Sequence, residues 1–538
     1  MSRCIIIYFC VLCAVVSVNM FVHNSGPKYK PTEGEVWPQP QGEKKKLAYY
    51  AFSPAQFKIN VTNEKCSILG NAIIRFIAVL KDLFRIARQN RRYKYQRTRA
   101  DKGGKDKRYQ GFIRELQLNL KEPCEDYPHF KMDESYSLTV GSTAVLTSDS
   151  IWGMLRGLET ASQLFYFTSD FSEIRINATE IFDFPYYFHR GILVDTSRHY
   201  ISPSNILKML DAMAINKMNV FHWHIVDDHS FPYESEMFPE LSKKGAYYPS
   251  LVYKKSDIKT IIEYARNRGI RVLPEFDVPG HTRSWGVSHP EILTQCYKKN
   301  KPIGLGPLHP LRKRTYKILL QLYREVQGLF PDRYLHIGGD EVNLDCWLSN
   351  PEIQKFMEEK NVSSIYEVHA TFMHKIIELL GKRSTPIVWQ EVYDNDVPLP
   401  KDAIVQIWKY RSIHQMIDAI QENVQVVFSA PWYLDYLDVS FATLYTSDPR
   451  TIVRNKVKDD VLENIVGGEA CMWSEKVDDR NLFSRVWPRA CAVAEVLWSV
   501  TSGNMPARTL RRVEEHACRM IRRGIPAEPP SGPGFCVT

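Results

Sequence analysis

The sequence predicts a (β/α)8 barrel preceded by a smaller α+β domain, and three observations carry that reading. From residue 186 onward, short apolar runs alternate with longer helical patterns, as in repeated βα units. There are eight such runs: HRGILVDT, NVFHWHIVDD, IRVLPEFDVPGH, YLHIGGDE, PIVWQE, AIVQIW, VVFSAPWY and VGGEACMW. Each is apolar in its body and turns polar or aromatic at its C-terminal end. An open doubly wound sheet is the alternative. The shared polar ends favour the barrel, because barrel enzymes build one pocket where the strand ends converge.

The chain of 538 residues begins MSRCIIIYFCVLCAVVSV, one Arg ahead of an apolar run. At about fifteen residues that run suits a signal peptide, read as residues 1–20, and is short of a bilayer span. No later segment is apolar enough to predict stable membrane insertion. Eight cysteines remain after the leader, with no CxxC pair that would suggest structural zinc. Asn60, Asn177 and Asn361 head glycosylation sequons. The formal charge of +9 equals the excess of residues 81–108, which hold 12 Lys/Arg against 3 Asp/Glu. The rest is neutral in sum, so the balance describes one solvated or protease-sensitive segment and not a nucleic-acid surface.

Residues 21–185 read as the α+β domain, with alternating runs such as FIRELQLNL and SYSLTV and a helical stretch, DSIWGMLRGLETASQLF. Residues 186–538 read as the catalytic barrel with a C-terminal helical extension. Between its first two strands, SPSNILKMLDAMAINKMN predicts a helix capped by Ser202 or Ser204, with Ile206, Leu207, Leu210, Met213 and Ala214 on one face.

The strand ends collect Trp and Tyr with scattered carboxylates. Sugars suit such a pocket, since their C–H faces stack on aromatics and their hydroxyls take charged partners. Glycoside hydrolysis usually sets two carboxylates across the scissile bond. In LHIGGDEVNLDCW the two acids, Asp340 and Glu341, are adjacent, and consecutive strand residues project to opposite faces. They therefore do not flank one bond as acid and nucleophile. Other carboxylates sit on different strands, at distances that the sequence does not give; one exception to the two-carboxylate scheme fits, a substrate whose own 2-acetamido group attacks the anomeric carbon. Glu341 then serves as acid and later base, and Asp340 orients the acetamide.

Taken together, HRGILVDTSRHY, NVFHWHIVDD, LPEFDVPGH, LHIGGDEV, WQE, SAPWYLD and GGEACMWSE resemble the β-N-acetylhexosaminidases of glycoside hydrolase family 20, notably the animal lysosomal ones. The resemblance runs from about residue 50 to the C-terminus. It implies a retaining exo-enzyme that removes terminal GlcNAc or GalNAc, needs no cofactor, and works as a homo- or heterodimer in the lysosome or after secretion. It assigns Glu341 as acid/base, Asp340 as the acetamide-orienting residue and Tyr433 as donor to the acetamide oxygen. Arg190, Asp227 and Glu475 would hold ring hydroxyls, Trp389, Trp408 and Trp473 would wall the sugar, and His281 with Asp277 would tune the proton of Glu341. It also implies the pairs Cys66–Cys124, Cys296–Cys346 and Cys518–Cys536, leaving Cys471 and Cys491 free. Asp435, with no Arg beside it, resembles the β-type subunit, which implies neutral substrates. His309 and Lys409-Tyr410 depart from the family pattern.

Two rivals stand beside this reading. A metal-dependent barrel hydrolase is suggested by His222-Trp-His224 with Asp227, Asp228 and His281, although no further ligand set is evident in the sequence. A catalytically inactive glycan-binding protein could keep the tryptophans but would have no use for Asp340, Glu341 and Tyr433 together.

Overall fold

The computed structural model describes residues 33–62, 65–93, 106–168, 171, 173–409, 412–501, 503–530 and 536. The signal peptide and residues 94–105 of the basic segment lie outside them. Eight parallel strands close into a barrel in sequential order. They are β1 (His189–Asp195), β2 (Val220–His224), β3 (Arg271–Glu275), β4 (Tyr334–His336), β5 (Thr385–Trp389), β6 (Ile404–Ile407), β7 (Gln425–Phe428) and β8 (Ile465–Met472). β8 closes on β1 with Gly467 opposite His189 and Met472 opposite Val194.

The helix between β1 and β2 spans Pro203–Ile215, with Ser202 at its N-cap making no side-chain capping bond. Ile206, Leu210 and Met213 are buried as expected; Leu207 and Ala214 are only half-buried, while Met209 and Ala212 are buried instead. The sequence did not reveal a β-hairpin inserted between β3 and β4, Leu293–Lys298 with Lys301–Leu308. Its first strand carries Cys296, bonded to Cys346. The other two implied disulfides, Cys66–Cys124 and Cys518–Cys536, are also present, and Cys471 and Cys491 are free and buried.

The N-terminal part is an eight-stranded mixed sheet. Helices Ser67–Tyr93 and Ile151–Gln163 pack with it, and the second is capped by Ser150, whose hydroxyl accepts from the Trp152 and Gly153 amides. This unit meets the N-terminal rim of the barrel through buried ion pairs. Glu134 accepts from Arg156 and Arg190 at 2.8 and 2.6 Å, Arg156 also donates to the carbonyls of Arg268 and Gly269, and Lys217 pairs with Asp183 at 2.8 Å.

Among the described residues, no helix is long and apolar enough to cross a membrane. The Asn60 and Asn361 side chains are exposed. Asn177 is not: it is buried, its Nδ2 donates to the Lys46 carbonyl at 2.9 Å and its Oδ1 accepts from the Tyr166 hydroxyl at 2.7 Å. In the fold, that sequon's acceptor nitrogen is engaged.

Candidate active site

β4 is short, and its end is where the site begins. After His336 the chain leaves strand geometry through Gly338 (φ 67°) and Gly339 (φ 106°). A Cβ on Gly338 would lie 1.7 Å from Asp277 Oδ1, and one on Gly339 would lie 2.2 Å from Val392. Only glycine permits this turn. Gly339 N–H in turn donates to Asp277 Oδ1 at 2.8 Å. Glu341 follows at φ 47° and His281 faces it at φ 55°, both left-handed conformations that the surrounding structure must enforce.

Asp340 and Glu341 are therefore not strand residues, and the alternation argument does not apply to them. Both carboxylates turn toward the same imidazole. His281 Nε2 lies 3.8 Å from Asp340 Oδ2, 3.7 Å from Glu341 Oε2 and 3.8 Å from Asp277 Oδ2, while its Nδ1 is 3.2 Å from Asp227. Although burial disfavours its charged form, Asp277 and Asp340 hold the His281 proton well above the usual range. Burial and the Asp340 charge push the Asp277 carboxyl up. Asp340 Oδ1 is buried with no partner, an acceptor left open for a ligand.

The aromatic residues form one cluster around Leu193 and Cys471. Trp389 is fully buried and donates from Nε1 to Glu275 at 2.6 Å, so it is the floor. Trp473 and Trp408 stand above it, 6.0 and 6.4 Å away between ring centroids, and Tyr433 stacks on Trp408 at 6.1 Å. Burial, then the nearby Cys471 and Asp340, raise the Tyr433 hydroxyl well above its usual range, so it is a neutral donor.

Asp227 is buried and accepts from His224 Nε2 at 2.8 Å. It also pairs with Arg198 at 2.8 Å. Arg198 also pairs with Asp195 at 3.3 Å and covers the Trp473 ring at 5.0 Å. Glu475 is exposed at the rim, where its charge reaches both Arg198 and Asp435. Asp435 keeps one oxygen buried and unpartnered, and burial pushes its carboxyl up to about 6.

Arg190 is a correction. Its guanidinium is wholly buried at the opposite end of β1, bonded to Glu134 and to the carbonyls of Tyr187 and Lys217. Asp195 lies five residue steps further along the strand, roughly 16 Å at the strand rise. The arginine in the pocket is Arg198, from TSRHY in the same motif. The signal was available, because Arg198 follows the C-terminal end of β1 and Arg190 precedes its body. Glu391 was also given no role; it accepts from Trp408 Nε1 at 2.9 Å.

Of the residues proposed for a metal, Asp227, Asp228 and His281 converge, whereas His222 groups apart from them with Glu275 and His336, a set the sequence had not suggested. Their hydrogen bonding is that of ion pairs. Despite burial, Glu469 and Glu275 hold His222 up to about 9, and Glu275 and Asp227 hold His224 up to about 10. A protonated imidazole must lose its proton before it can ligate a metal, which disfavours His222 and His224 as ligands; His336 is instead lowered by burial. His309 is buried, and Tyr410 lies outside the described residues.

Comparisons with known proteins bear on the family and the fold. Residues 187–501 match the model described as "Glycosyl hydrolase family 20, catalytic domain", and residues 36–164 match "beta-acetyl hexosaminidase like". The chain is 46% identical over 417 residues to the β-hexosaminidase subunit β of Felis catus, covering 76% of this chain and 78% of that one. It is 44% identical over 423 residues to the subunit α of Rattus norvegicus, covering 77% and 79%. Among solved structures it is similar to a Flavobacterium johnsoniae chitobiase, at TM-score 0.78 and 30% identity over 92% of this chain and 74% of the other.

Proposed function

The chain belongs to glycosyl hydrolase family 20 and is an exo-β-N-acetylhexosaminidase; on that premise we propose how its own residues divide the work. Glu341 gives a proton to the glycosidic oxygen while the substrate's acetamide oxygen attacks C1 and the C1–O bond breaks. The aglycone leaves as an alcohol and a cyclic oxazolinium remains. Asp340 accepts the acetamide N–H through its unpartnered oxygen and balances the positive charge on that ring. The Tyr433 hydroxyl donates to the acetamide oxygen. Water then gives a proton to Glu341 and its oxygen to C1, the C1–O bond of the ring opens, and configuration is retained.

The observation that carries this reading is that Asp340 and Glu341 lie on one side, against His281, with an open buried acceptor on Asp340. An acid and a nucleophile flanking a bond would face each other. His281 and Asp277 position both carboxylates. Arg198 with Asp227 holds ring hydroxyls, Trp473 and Trp408 wall the sugar over Trp389, and Glu475 and Asp435 meet it at the rim. Asp435 beside the sugar favours neutral GlcNAc and GalNAc termini. The glycan sequons and the leader support a lysosomal or secreted location, and the relatives being subunits supports a dimer.

The test is a substrate with a trifluorinated acetamide, whose oxygen is a weaker nucleophile. We expect a marked fall in kcat, and strong inhibition by a thiazoline that mimics the cyclic intermediate. Equal rates on the two substrates, or a glycosyl adduct trapped on a side chain, would overturn the assignment.

A further inference from the structure

Glu391 stands just past the end of β5 and reaches the pocket wall through Trp408. One carboxylate oxygen accepts from Trp408 Nε1 at 2.9 Å, and the other lies 3.4 Å from Lys409 Nζ. Lys409 in turn pairs with Asp394 at 2.9 Å. The Trp408 indole has one polar atom, and Glu391 holds it. Its faces are occupied on one side by Tyr433, stacked at 6.1 Å and 26°, while Trp389 meets it edge-on at 6.4 Å. Rotation of Trp408 in its own plane is thus restrained by a single hydrogen bond, and the position of Tyr433 follows from the stack.

We propose that Glu391 is a positioning residue that sets the depth of the N-acyl pocket, by fixing the Trp408 indole against which Tyr433 and the acyl group pack. This deepens the proposed assignment of Tyr433 and Asp340 to the acetamide and rests on it. The bond is sheltered, because the Glu391 side chain is only 17% exposed, so water does not readily replace it. A pocket built this way admits an acetyl group and excludes longer acyl chains. With the anchor gone, the indole can swing and the wall recedes.

The carboxylate also faces Asp340. The titratable groups around Glu391 are Asp340 from the β4 end, Lys409 from the β6 end, and Asp394 from its own short helix. Burial and the Asp340 charge push Glu391 up to about 7. It therefore carries a proton under acidic conditions and leaves Asp340 as the charge nearest the acetamide.

Two variants separate the anchor from the charge. Glu391→Gln keeps an oxygen that accepts from Trp408, and Glu391→Leu removes it. Each is assayed with 4-nitrophenyl glycosides of N-acetyl- and N-propionyl-glucosamine, and melting temperature is followed in parallel. The expected result is that Glu391→Gln keeps the acetyl-over-propionyl ratio of kcat/KM within about twofold, while Glu391→Leu lowers that ratio by roughly tenfold or more. The ionisation near pH 7 should vanish from the profiles of both. An unchanged ratio in Glu391→Leu overturns the inference. So does an equal loss of selectivity in both variants, which would mean that the charge matters and the hydrogen bond does not. A wild-type enzyme indifferent to trifluorination would instead remove the reading on which the inference rests.

Discussion

Replacing Arg190 with Met should make the protein easier to unfold and leave its chemistry almost untouched, whereas replacing Arg198 with Met should do the reverse. The magnitudes follow from their surroundings. Arg190 donates to Glu134 at 2.6 Å and to the carbonyls of Lys217 and Tyr187 at 3.0 and 2.7 Å, all in the interior. Glu134 keeps Arg156 at 2.8 Å, so its charge is not wholly uncompensated. Breaking one arm of a buried ion pair costs about 3 kcal/mol, at the low end of the usual range. Two carbonyls losing their donors, at about 0.5–1.5 kcal/mol each, bring the loss to about 4–6 kcal/mol. That is a large part of the stability of an ordinary domain.

Arg198 lies in the pocket, with its side chain 11% exposed, paired with Asp227. Loss of a charged donor to a sugar hydroxyl costs about 1.5–3 kcal/mol of transition-state binding, which is roughly 10- to 150-fold in kcat/KM. The assay is urea unfolding alongside initial rates on a 4-nitrophenyl GlcNAc glycoside. If Arg190→Met lost kcat/KM more than about tenfold with its unfolding midpoint unchanged, the placement of that residue at the closed end of the barrel would be wrong.

Three other outcomes follow from the same geometry. Glu341→Gln should lose several orders of magnitude on substrates with poor leaving groups and retain binding of the thiazoline, since the proton donor is gone while the clamp remains. EDTA dialysis should leave activity unchanged, because His222 is already paired with Glu275 and Glu469; recovery only on adding a divalent cation would contradict that. Burial raises the Asp435 carboxyl to about 6, above the unfolded carboxylate value. The folded state therefore binds its proton more tightly, and wild type should lose stability relative to Asp435→Asn as pH rises from 4 to 6, by about 1–3 kcal/mol after allowance for solvent screening. The same ionisation should make discrimination against 6-sulfated GlcNAc grow between pH 5 and 7 in wild type and stay flat in Asp435→Asn.

The barrel was legible because each strand ends in residues that cannot be core, and the aromatic and acidic residues at those ends do converge on one face. Direction along a strand was legible too, and it decides between the two arginines. Arg190 and Arg198 both flank the same apolar run, and only the sense of β1 tells which end opens on the pocket. What the sequence concealed was the point at which a strand stops. LHIGGDE reads as continuous, yet the two glycines turn the chain out of extended geometry after His336, so Asp340 and Glu341 share a side. The adjacent acids led to substrate assistance through an alternation that these residues do not obey. The conclusion is supported for a different reason, their common approach to His281.

The strand bodies also hold polar residues that look like interruptions: His222 and His224 in β2, Glu275 in β3, His336 in β4 and Glu469 in β8. In the fold they form one chain through the barrel interior. His189 meets Glu469 at 2.6 Å, and Glu469 meets His222 at 2.7 Å. His222 and His224 approach Glu275 at 3.1 and 2.6 Å, and His224 reaches Asp227 at 2.8 Å. Buried ion pairs of this kind seldom stabilise a protein more than apolar packing would, so stability does not account for them. Orientation does. Each carboxylate in the chain is bonded from at least two sides, which leaves Asp227 one rotamer and aims its free edge at Arg198 and His281. The histidine part of this arrangement is intact below about pH 6.5 and lost as pH rises through about 9–10, since His222 and His224 are raised in the folded state. Its carboxylate part, with Glu469 and Asp227 held below their usual range, persists above about 4.5 and is lost only as pH falls through those lowered values. The interior therefore holds the clamp rigid across the mildly acidic range in which Glu391 and Asp435 still carry their protons.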